Sequence, residues 1–451
     1  MNTMRVRFAP SPTGYLHVGN VRTALLNYLF CRQHKGVFLL RIDDTDQERS
    51  KPEYEEAIYQ DLAWLGITHD ETARQSTRFE RYQKATDHLK SAGRLYPCYE
   101  TQEELAFKRK MQLAQGRPPQ YDRAGLHLTD DQKQAYEQQG RKPHWRFKIA
   151  DEAIDWHDLV RGPVHFEGAH LSDPVLIRED GQPIYTLASV VDDCEMAVTH
   201  IIRGEDHVAN TAIQIQLIQA LGYDPQKFHF AHMPLIADDK GEGLSKRLGS
   251  AGIRTLKEEG LLPMALSNVL ARLGTSQPIE AFDSLDPLIK SFSFDLFARS
   301  TPKFSFETVQ AINAKLLHEA PLDQIKPYLP ESMNLDASTW KTLQKNLNSL
   351  QDLPAWQQIL AGDFSVSFSE EDQSYLKTAL DLLPPSNCWG EDPWTQWQNT
   401  LKEKTNRKGG KLLKPLRLAL TGLDHGPELG KLVKLLGYEE IKKRLDHSVS
   451  I

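Results

Sequence analysis

The segment RVRFAPSPTGYLHVGN (residues 5–20) joins a strand pattern to a helix pattern through a loop that contains two prolines and two glycines. Charged and apolar residues alternate at 5–8, which predicts a short strand. Apolar residues recur with helical spacing from Val18 to Leu29, so a helix should begin at the end of the quoted segment. The loop therefore lies where a strand passes directly into a helix.

The segments that follow repeat this order. The run VFLLRI (residues 37–42) is almost entirely apolar, as is typical of a buried strand in a parallel sheet. Pro52 is a favourable first residue for the next helix, and Gly66 stands just beyond its last apolar positions. Alternating strands and helices predict a doubly wound α/β sheet of the Rossmann type.

The pattern changes between about residues 95 and 184, where prolines interrupt short strand-like segments. We interpret this stretch as an α+β insertion. Strand and helix patterns return afterwards, whereas only helical patterns follow residue 250. The expected units are the two halves of the α/β domain at 1–94 and 185–240, the insertion at 95–184, and all-α domains at 241–305, 306–375 and 376–451.

The bulk properties exclude several classes of protein. With 451 residues, the chain is too long for a single compact core. No apolar run approaches a membrane span, and the first ten residues contain no apolar core of signal-peptide length. The four cysteines form no close pair, so we expect a cytoplasmic protein without membrane contact. The net charge of −7 argues weakly against a nucleic-acid partner, but residues 402–417 carry seven Lys and Arg and one Glu.

The loop within residues 5–20 has the composition of a phosphate site. Pro10 fixes the backbone, and Gly14 and Gly19 allow a ligand to approach it closely. The free N–H groups of the following helix favour a phosphate, and His17 can donate a hydrogen bond to a phosphate oxygen. The alternative interpretation is an ordinary surface loop that ends in a helix cap.

A second loop, GEGLSKRLGS (residues 241–250), combines three glycines with a hydroxyl group and two cations. Ser245, Lys246 and Arg247 could close over a triphosphate and neutralise the charge that develops during its reaction. The alternative is an exposed basic loop.

Four further residues, Arg7, Asp43, Tyr185 and Arg203, lie on or at the ends of expected strands. Ligands of open α/β sheets bind beyond the carboxyl ends of the strands. Two arginines there could hold a carboxylate, and an aspartate could hold an ammonium group, which together fit an acidic amino acid. The alternative is a set of ordinary strand-end ion pairs.

Together these motifs resemble those of the class I aminoacyl-tRNA synthetases, and specifically of the bacterial-type glutamyl-tRNA synthetases. HVGN (17–20) stands in the place of the HIGH motif, and RIDDTD (41–46) is similar to RIEDTD of that family. GLSKR (243–247) stands where the KMSKS motif lies, usually KLSKR in these enzymes. The matches occur in family order over nearly the whole chain and include YTLASVVDD (185–193), HIIRGEDH (200–207) and PLRLALTG (415–422).

The resemblance implies an ATP-dependent ligase that forms glutamyl-adenylate and transfers the glutamyl group to the 3′-terminal adenosine of tRNA(Glu), with Mg²⁺ accompanying ATP. It implies a glutamate pocket of Arg7, Ala9, Ser11, Asp43, Tyr185 and Arg203. It also implies a HIGH-like motif of Pro10, Ser11, His17, Val18, Gly19 and Asn20 and a KMSKS-like motif of Gly243, Leu244, Ser245, Lys246 and Arg247. Of these, ATP would contact His17, Gly19, Asn20, Ser245, Lys246 and Arg247, with His17 and Lys246 as the catalytic groups.

The family's organisation also assigns roles to the expected domains. The resemblance implies that 95–184 binds the acceptor stem of the tRNA and that 241–305 forms a stem-contact domain. It implies that the last two domains bind the anticodon. Within PLRLALTG and its basic surroundings, the candidates for tRNA contact are Lys411, Lys414 and Arg417. Three tryptophans occur nearby at helical spacing (Trp389, Trp394 and Trp397), and we expect them to pack in a core rather than to stack on bases.

The sequence departs from the family pattern at several positions. Asp43 stands where the family usually has Glu, and Gly243 replaces the first lysine of KLSKR. Some relatives hold zinc in the insertion. Here Cys98 and His127 occupy two ligand positions, but Glu100 and Gly125 stand where cysteines would be needed, so we expect no metal site and no zinc.

Two alternatives to a tRNA(Glu)-specific enzyme stay open at this point. Residues 341–362 contain no arginine, whereas an arginine near this place helps discriminating relatives to reject the other anticodon. The absence of an arginine in this stretch favours an enzyme that also charges tRNA(Gln). The second alternative is a non-catalytic paralogue that binds tRNA, favoured only by the altered GLSKR loop. By resemblance we expect a monomer.

Overall fold

The computed structural model describes residues 3–238, 252–331, 333–390 and 392–450. The chain divides into two compact units. The first comprises Met1–Ile253, Ser267–Ile279 and Ser284–Ser305, and the second comprises Arg254–Leu266, Glu280–Asp283 and Phe306–Ile451. Among the helices in the described ranges, none is both long enough and apolar enough to cross a bilayer.

The first unit is built on a seven-stranded sheet with the strand order β3-β2-β1-β9-β10-β6-β7. Its strands are β1 (Arg5–Phe8), β2 (Val37–Ile42), β3 (Glu71–Arg74), β6 (Ala153–Asp158), β7 (Gly162–Glu167), β9 (His200–Gly204) and β10 (His229–Met233). All neighbouring strands are parallel except β6 and β7, which form an antiparallel pair at one edge.

A separate three-stranded antiparallel sheet has the order β4-β5-β8 and consists of β4 (Leu95–Cys98), β5 (His144–Phe147) and β8 (Val175–Ile177). The stretch 95–184, interpreted from sequence as an insertion, therefore supplies this small sheet. It also supplies β6 and β7, which extend the large sheet because β6 pairs with β10.

The helices connect and cover these sheets in the first unit and form the second unit. They are α1 (Val18–Gln33), α2 (Pro52–Trp64), α3 (Phe79–Ser91), α4 (Gln102–Ala114), α5 (Asp130–Gln138), α6 (Tyr185–Glu195), α7 (Val208–Ala220), α8 (Ile253–Glu258), α9 (Pro263–Arg272), α10 (Asp286–Lys290), α11 (Phe306–Glu319), α12 (Leu322–Ile325), α13 (Ala337–Leu343), α14 (Leu353–Ala361), α15 (Glu370–Asp381), α16 (Pro393–Thr405), α17 (Gly410–Thr421) and α18 (Leu429–Ser450, broken at Gly437).

The local predictions for the first hundred residues are confirmed. β2 spans the apolar run 37–42, and α2 begins at Pro52. Every residue of β2 after Val37 is buried, because parallel neighbours lie on both sides and helices cover the sheet. The expected α/β core followed by an all-α region is confirmed within the described residues, where strands end at β10.

One placement predicted from sequence is wrong. Tyr185 does not follow a strand of the large sheet but is the first residue of α6, and the preceding strand β8 belongs to the small sheet. Pro183 forms an isolated bridge with Ile177, and Ile184 is still extended. The chain therefore turns into the helix directly after the small sheet.

The tryptophans of the second unit pack in its core, as expected. Trp397 is completely buried, and its indole N–H donates to the carbonyl of Ala379 at 3.0 Å. Trp389 and Trp394 are half-buried against the same apolar cluster. Trp397 is thus a core residue, whereas Trp389 and Trp394 pack against this core and keep part of their surface exposed.

Candidate active site

The carboxyl ends of β1, β2, β9 and β10 lie at one edge of the large sheet, because these strands are parallel. The loop 9–17 leaves β1 at this edge and leads into α1. This is the position at which open α/β sheets bind their ligands.

His17 is the N-cap of α1 and fixes its first turn. The His17 Nδ1 accepts a hydrogen bond from the Gly19 N–H at 3.1 Å, and the Asn20 Oδ1 accepts one from the His17 N–H at 3.3 Å. A Cβ at position 19 would lie 3.0 Å from the imidazole, so the close cap favours glycine. Because Nδ1 accepts, the neutral ring carries its proton on Nε2, which is then available as a donor.

The environment of His17 keeps the ring neutral. Partial desolvation by surrounding protein atoms lowers the pKa of the imidazole below its usual value. A neutral ring that is already oriented by its own helix can donate to an anion without first losing its cap.

Most of the residues predicted for the site line one cavity of about 670 Å³. They come from β1, the loop, the start of α1, the start of α6 and the end of β9, and comprise Arg7, Ala9, Pro10, Ser11, His17, Gly19, Asn20, Tyr185 and Arg203. Val18 is buried in the core and does not line the cavity. Asp43 lines a smaller adjoining cavity that shares Ser11 and Tyr185 with the larger one.

A buried ion cluster lies beneath this edge of the sheet and consists of Arg7, Arg41, Asp43 and Asp193. The Arg41 Nε and Nη2 donate to the two Asp43 oxygens at 2.6 and 3.1 Å, and its Nη1 donates to Asp193 at 2.6 Å. Arg7 Nε donates to the same Asp193 at 3.2 Å. The buried Asp192 also lies 3.9 Å from the Arg41 Nε, so the fully buried Arg41 side chain is surrounded by carboxylates.

The two aspartates of this cluster respond differently to their surroundings. Burial raises the pKa of Asp43 to about 6, although Arg41 opposes the shift. Burial acts in the same direction on Asp193, but the two arginines outweigh it and lower its pKa. Sequence reasoning missed Arg41 and Asp193, although both lie in quoted motifs. A charged residue inside the apolar run VFLLRI was the available signal.

Arg203 has a different environment. Its Nη2 donates to Thr211 Oγ1 and Gln214 Oε1 at 2.6 and 2.7 Å, and its Nε faces His232 Nε2 at 3.3 Å. Its Nη1 is buried without a hydrogen-bond partner. His207, another cavity residue that the sequence reasoning missed, lies four positions after Arg203 and packs near Tyr185, with ring centroids 5.8 Å apart.

The second predicted loop lies outside the described residues, and so do Gly243, Leu244, Ser245, Lys246 and Arg247. The chain is described again from Gly252, which forms a β-bridge with His17. The backbone N–H of Ile253 donates to the Leu16 carbonyl at 3.3 Å. Gly252 and Ile253 therefore lie beside the first motif.

In the insertion, Cys98, Glu100 and His144 place one ligand atom each within 4.8 Å of one another. His127 is exposed and does not belong to this group. The Tyr121 hydroxyl donates to Glu100 at 2.8 Å and accepts from the Gly125 N–H at 2.9 Å. Burial raises the pKa of Cys98 to about 12 and lowers that of His144 to about 4, so both side chains are neutral at pH 7.

The three tRNA candidates of the second unit share α17. Lys411 and Lys414 are exposed, and Lys414 lies 3.7 Å from the exposed Asp424. Arg417 is half-buried, and its Nη1 donates to the Pro427 carbonyl at 2.5 Å. The two lysines are accessible to a phosphate backbone, whereas Arg417 also braces the following loop.

Comparison with known proteins gives a consistent result. The model for the catalytic domain of class I tRNA synthetases (E and Q) matches residues 3–311, and the model for an anticodon binding domain matches residues 320–449. The chain is 49% identical to glutamate–tRNA ligase 1 of Maricaulis maris over 443 residues, which cover 98% of each chain. It is 50% identical to glutamate–tRNA ligase of Azospirillum brasilense over 446 residues, which cover 98% of this chain and 99% of the relative.

A solved structure agrees with these similarities. A glutamate tRNA ligase from Elizabethkingia meningosepticum, crystallised in complex with its amino acid, aligns with a TM-score of 0.85 at 30% identity. The alignment covers 100% of this chain and 99% of that chain.

The buried ion cluster predicts a large stability effect at Arg41. Arg41→Gln leaves the buried Asp43 without its guanidinium and Asp193 with Arg7 alone, which should lower the free energy of unfolding by about 3–5 kcal/mol. Arg49→Gln is a matched control, because Arg49 is 71% exposed and pairs with Asp46 at the surface, where such pairs contribute roughly 0–1 kcal/mol. Urea unfolding measures both, and equal losses in the two variants would contradict the assignment.

Proposed function

The chain belongs to the class I tRNA synthetases of the E and Q type, and on this premise we propose that it is a glutamate–tRNA ligase. In the first step, the α-carboxylate of L-glutamate attacks the α-phosphate of ATP and displaces pyrophosphate. In the second step, the 3′-terminal adenosine of tRNA(Glu) attacks the acyl carbon and displaces AMP. Mg²⁺ enters with the triphosphate and neutralises part of its charge.

The observation that carries this proposal is the convergence of two buried arginines and the α1 loop on one cavity. Arg7 and Arg203 would bind a carboxylate of glutamate, with Tyr185, Ser11 and Ala9 shaping the pocket. Asp43 would attract the ammonium group across the adjoining space, although Arg41 already contacts both of its oxygens. A pocket with this charge favours an acidic amino acid over a neutral one.

The phosphates of ATP would lie against the start of α1. His17, Gly19 and Asn20 offer an oriented imidazole and the free N–H groups of a helix N-terminus. Ser245, Lys246 and Arg247 would approach from the other side, where Gly252 already adjoins His17. Catalysis then consists of positioning and of stabilising negative charge, so no protein nucleophile is needed.

The remaining parts of the chain would hold the tRNA. We assign the catalytic domain to 1–94 and 185–240, acceptor-stem binding to 95–184, and stem contact to 241–305. Anticodon binding would fall to 306–375 and 376–451, with Lys411, Lys414 and Arg417 near the anticodon loop.

The dispersed buried thiols Cys31, Cys98 and Cys194 suit a cytoplasmic enzyme, and we propose that it acts as a monomer.

We also propose that the insertion functions without zinc. A structural zinc site requires four ligands, and the described insertion brings together three. The Tyr121 hydroxyl already links Glu100 to the Gly125 backbone at this place. These hydrogen bonds would thus hold the segments together that a metal ion holds together in some relatives.

Parallel charging assays test the proposed function. We expect radiolabelled glutamate to be transferred to tRNA(Glu) in the presence of ATP and Mg²⁺. The absence of arginine in 341–362 supports charging of tRNA(Gln) as well, and purified tRNA(Gln) in the same assay decides between the two specificities. A folded protein that binds tRNA but charges neither would refute the ligase assignment.

The His17 geometry predicts a loss of rate. Asparagine is a favourable N-cap, so His17→Asn should keep α1 intact while removing the imidazole donor. We expect kcat of aminoacylation to fall by about 10²–10³-fold, as for other lost donors to developing charge. His34→Asn, at the opposite end of the same helix, is the control. Equal rates in the two variants would contradict the role of His17.

Metal analysis tests the zinc-free insertion. Protein purified from zinc-supplemented medium should contain zinc far below one ion per chain, and EDTA should leave its thermal unfolding temperature unchanged. A stoichiometric zinc ion whose removal lowers that temperature would contradict the proposal. Cys98→Ser would then show whether the ion is held at this cluster.

A further inference from the structure

Three side chains from neighbouring strands form a buried row behind the cavity. Arg203 on β9 is in direct register with His232 on β10, and Asp158 ends β6, the next strand in the sheet. The side chains of His232 and Asp158 are completely buried. Only Arg203 of the three lines the cavity.

Asp158 fixes the protonation of His232. Its Oδ1 accepts the backbone N–H groups of Val160, Arg161 and His232 at 3.0, 2.9 and 3.2 Å. Its Oδ2 lies 2.5 Å from His232 Nδ1. Burial opposes ionisation of Asp158, but these hydrogen bonds outweigh it and lower its pKa. The ionised carboxylate requires a proton on Nδ1, which leaves the Nε2 lone pair to the Thr211 hydroxyl at 2.8 Å and the Arg203 Nε at 3.3 Å.

His232 is thereby a neutral acceptor that the Arg203 guanidinium shares with the Thr211 hydroxyl. The Arg203 Nε lies 3.3 Å from His232 Nε2, while Thr211 and Gln214 accept from Nη2. Within the described residues, no carboxylate is hydrogen-bonded to Arg203, whereas Arg7 and Arg41 both contact aspartates. The Nη1 of Arg203 is buried without a hydrogen-bond partner, and Tyr185 of the same cavity also interacts with the guanidinium. The side chain is therefore oriented without being neutralised.

We propose that Asp158 and His232 are positioning residues that orient the Arg203 guanidinium so that its Nη1 binds the carboxylate of the substrate. Asp158 sets the tautomer of His232, His232 accepts from Nε, and Nη1 is left for the ligand. This inference rests on the proposed function, in which Arg203 belongs to the glutamate pocket.

The isosteric variant Asp158→Asn provides the first test. Three backbone N–H groups require an oxygen at one position, so the amide nitrogen must face His232 and donate to Nδ1. The imidazole of His232 then carries its proton on Nε2. This nitrogen faces the Nε–H of Arg203 and can no longer accept a hydrogen bond from it. We expect the KM for glutamate to rise about tenfold or more, with an unchanged KM for ATP. An unchanged KM for glutamate in the folded variant would overturn the proposal.

Two substitutions of His232 form a matched pair. His232→Gln can place its carbonyl oxygen where Nε2 was and still accept from Arg203. His232→Asn can donate to Asp158 but is too short to reach Arg203. We expect His232→Gln to retain a KM for glutamate near that of the wild type and His232→Asn to raise it about tenfold. Equal values for the two variants would indicate a merely structural role and overturn the proposal.

Two controls separate this inference from the proposed function. Arg203→Gln should raise the KM for glutamate strongly; if it does not, the assignment of the pocket fails whatever His232 does. If Arg203→Gln raises it but the Asp158 and His232 variants do not, only the present inference fails. The ¹⁵N spectrum of wild-type histidines needs no variant, and a His232 ring protonated at Nε2 would overturn the proposal directly.

Discussion

The buried contact of Arg41 with Asp43 and Asp193 is the constraint on which the rest of the active-site region depends. It joins the end of β2 to α6, which follows the whole insertion in the chain. A buried guanidinium without its two carboxylates would be strongly unfavourable, as would either carboxylate without the guanidinium. The contact thus links strands and helices from distant parts of the chain at the edge of the sheet where the cavity opens.

The arginines at this edge of the sheet have two kinds of hydrogen-bond partners. Arg7 and Arg41 are paired with acids, so part of their charge is already balanced inside the protein; Arg41 is fully buried, whereas Arg7 also lines the cavity. Arg203 is surrounded by a hydroxyl, an amide and an imidazole, so its orientation is fixed while its charge is not cancelled. A binding site for an anion benefits from the second arrangement, since the ligand then provides the counter-charge and does not have to displace an internal partner.

Local patterns in the sequence predicted the local structure well and the long-range contacts poorly. The apolar run 37–42 and the start of α2 at Pro52 follow from periodicity and proline chemistry, and both are confirmed. The loop residues His17 and Gly19 could be chosen because their roles arise within one turn. Three features depend on segments far apart in the chain: the pairing of Arg41 with Asp193, the row from Asp158 to Arg203, and the extension of the large sheet by β6 and β7. Periodicity carries no information about such partners, and family motifs indicate which residues matter without saying what they touch.

The cluster around Tyr121 bears on how this chain could change in evolution. A Cβ at position 125 would lie only 2.6 Å from Cys98 Sγ and 2.8 Å from the Pro97 carbonyl oxygen. A cysteine cannot enter at that position unless the neighbouring backbone moves, and the Tyr121 hydroxyl would have to release the Gly125 N–H at the same time. A sequence with cysteine at position 125 and its neighbours unchanged is therefore sterically unfavourable. Gly125→Cys alone is therefore expected to destabilise the insertion rather than to add a metal ligand to it.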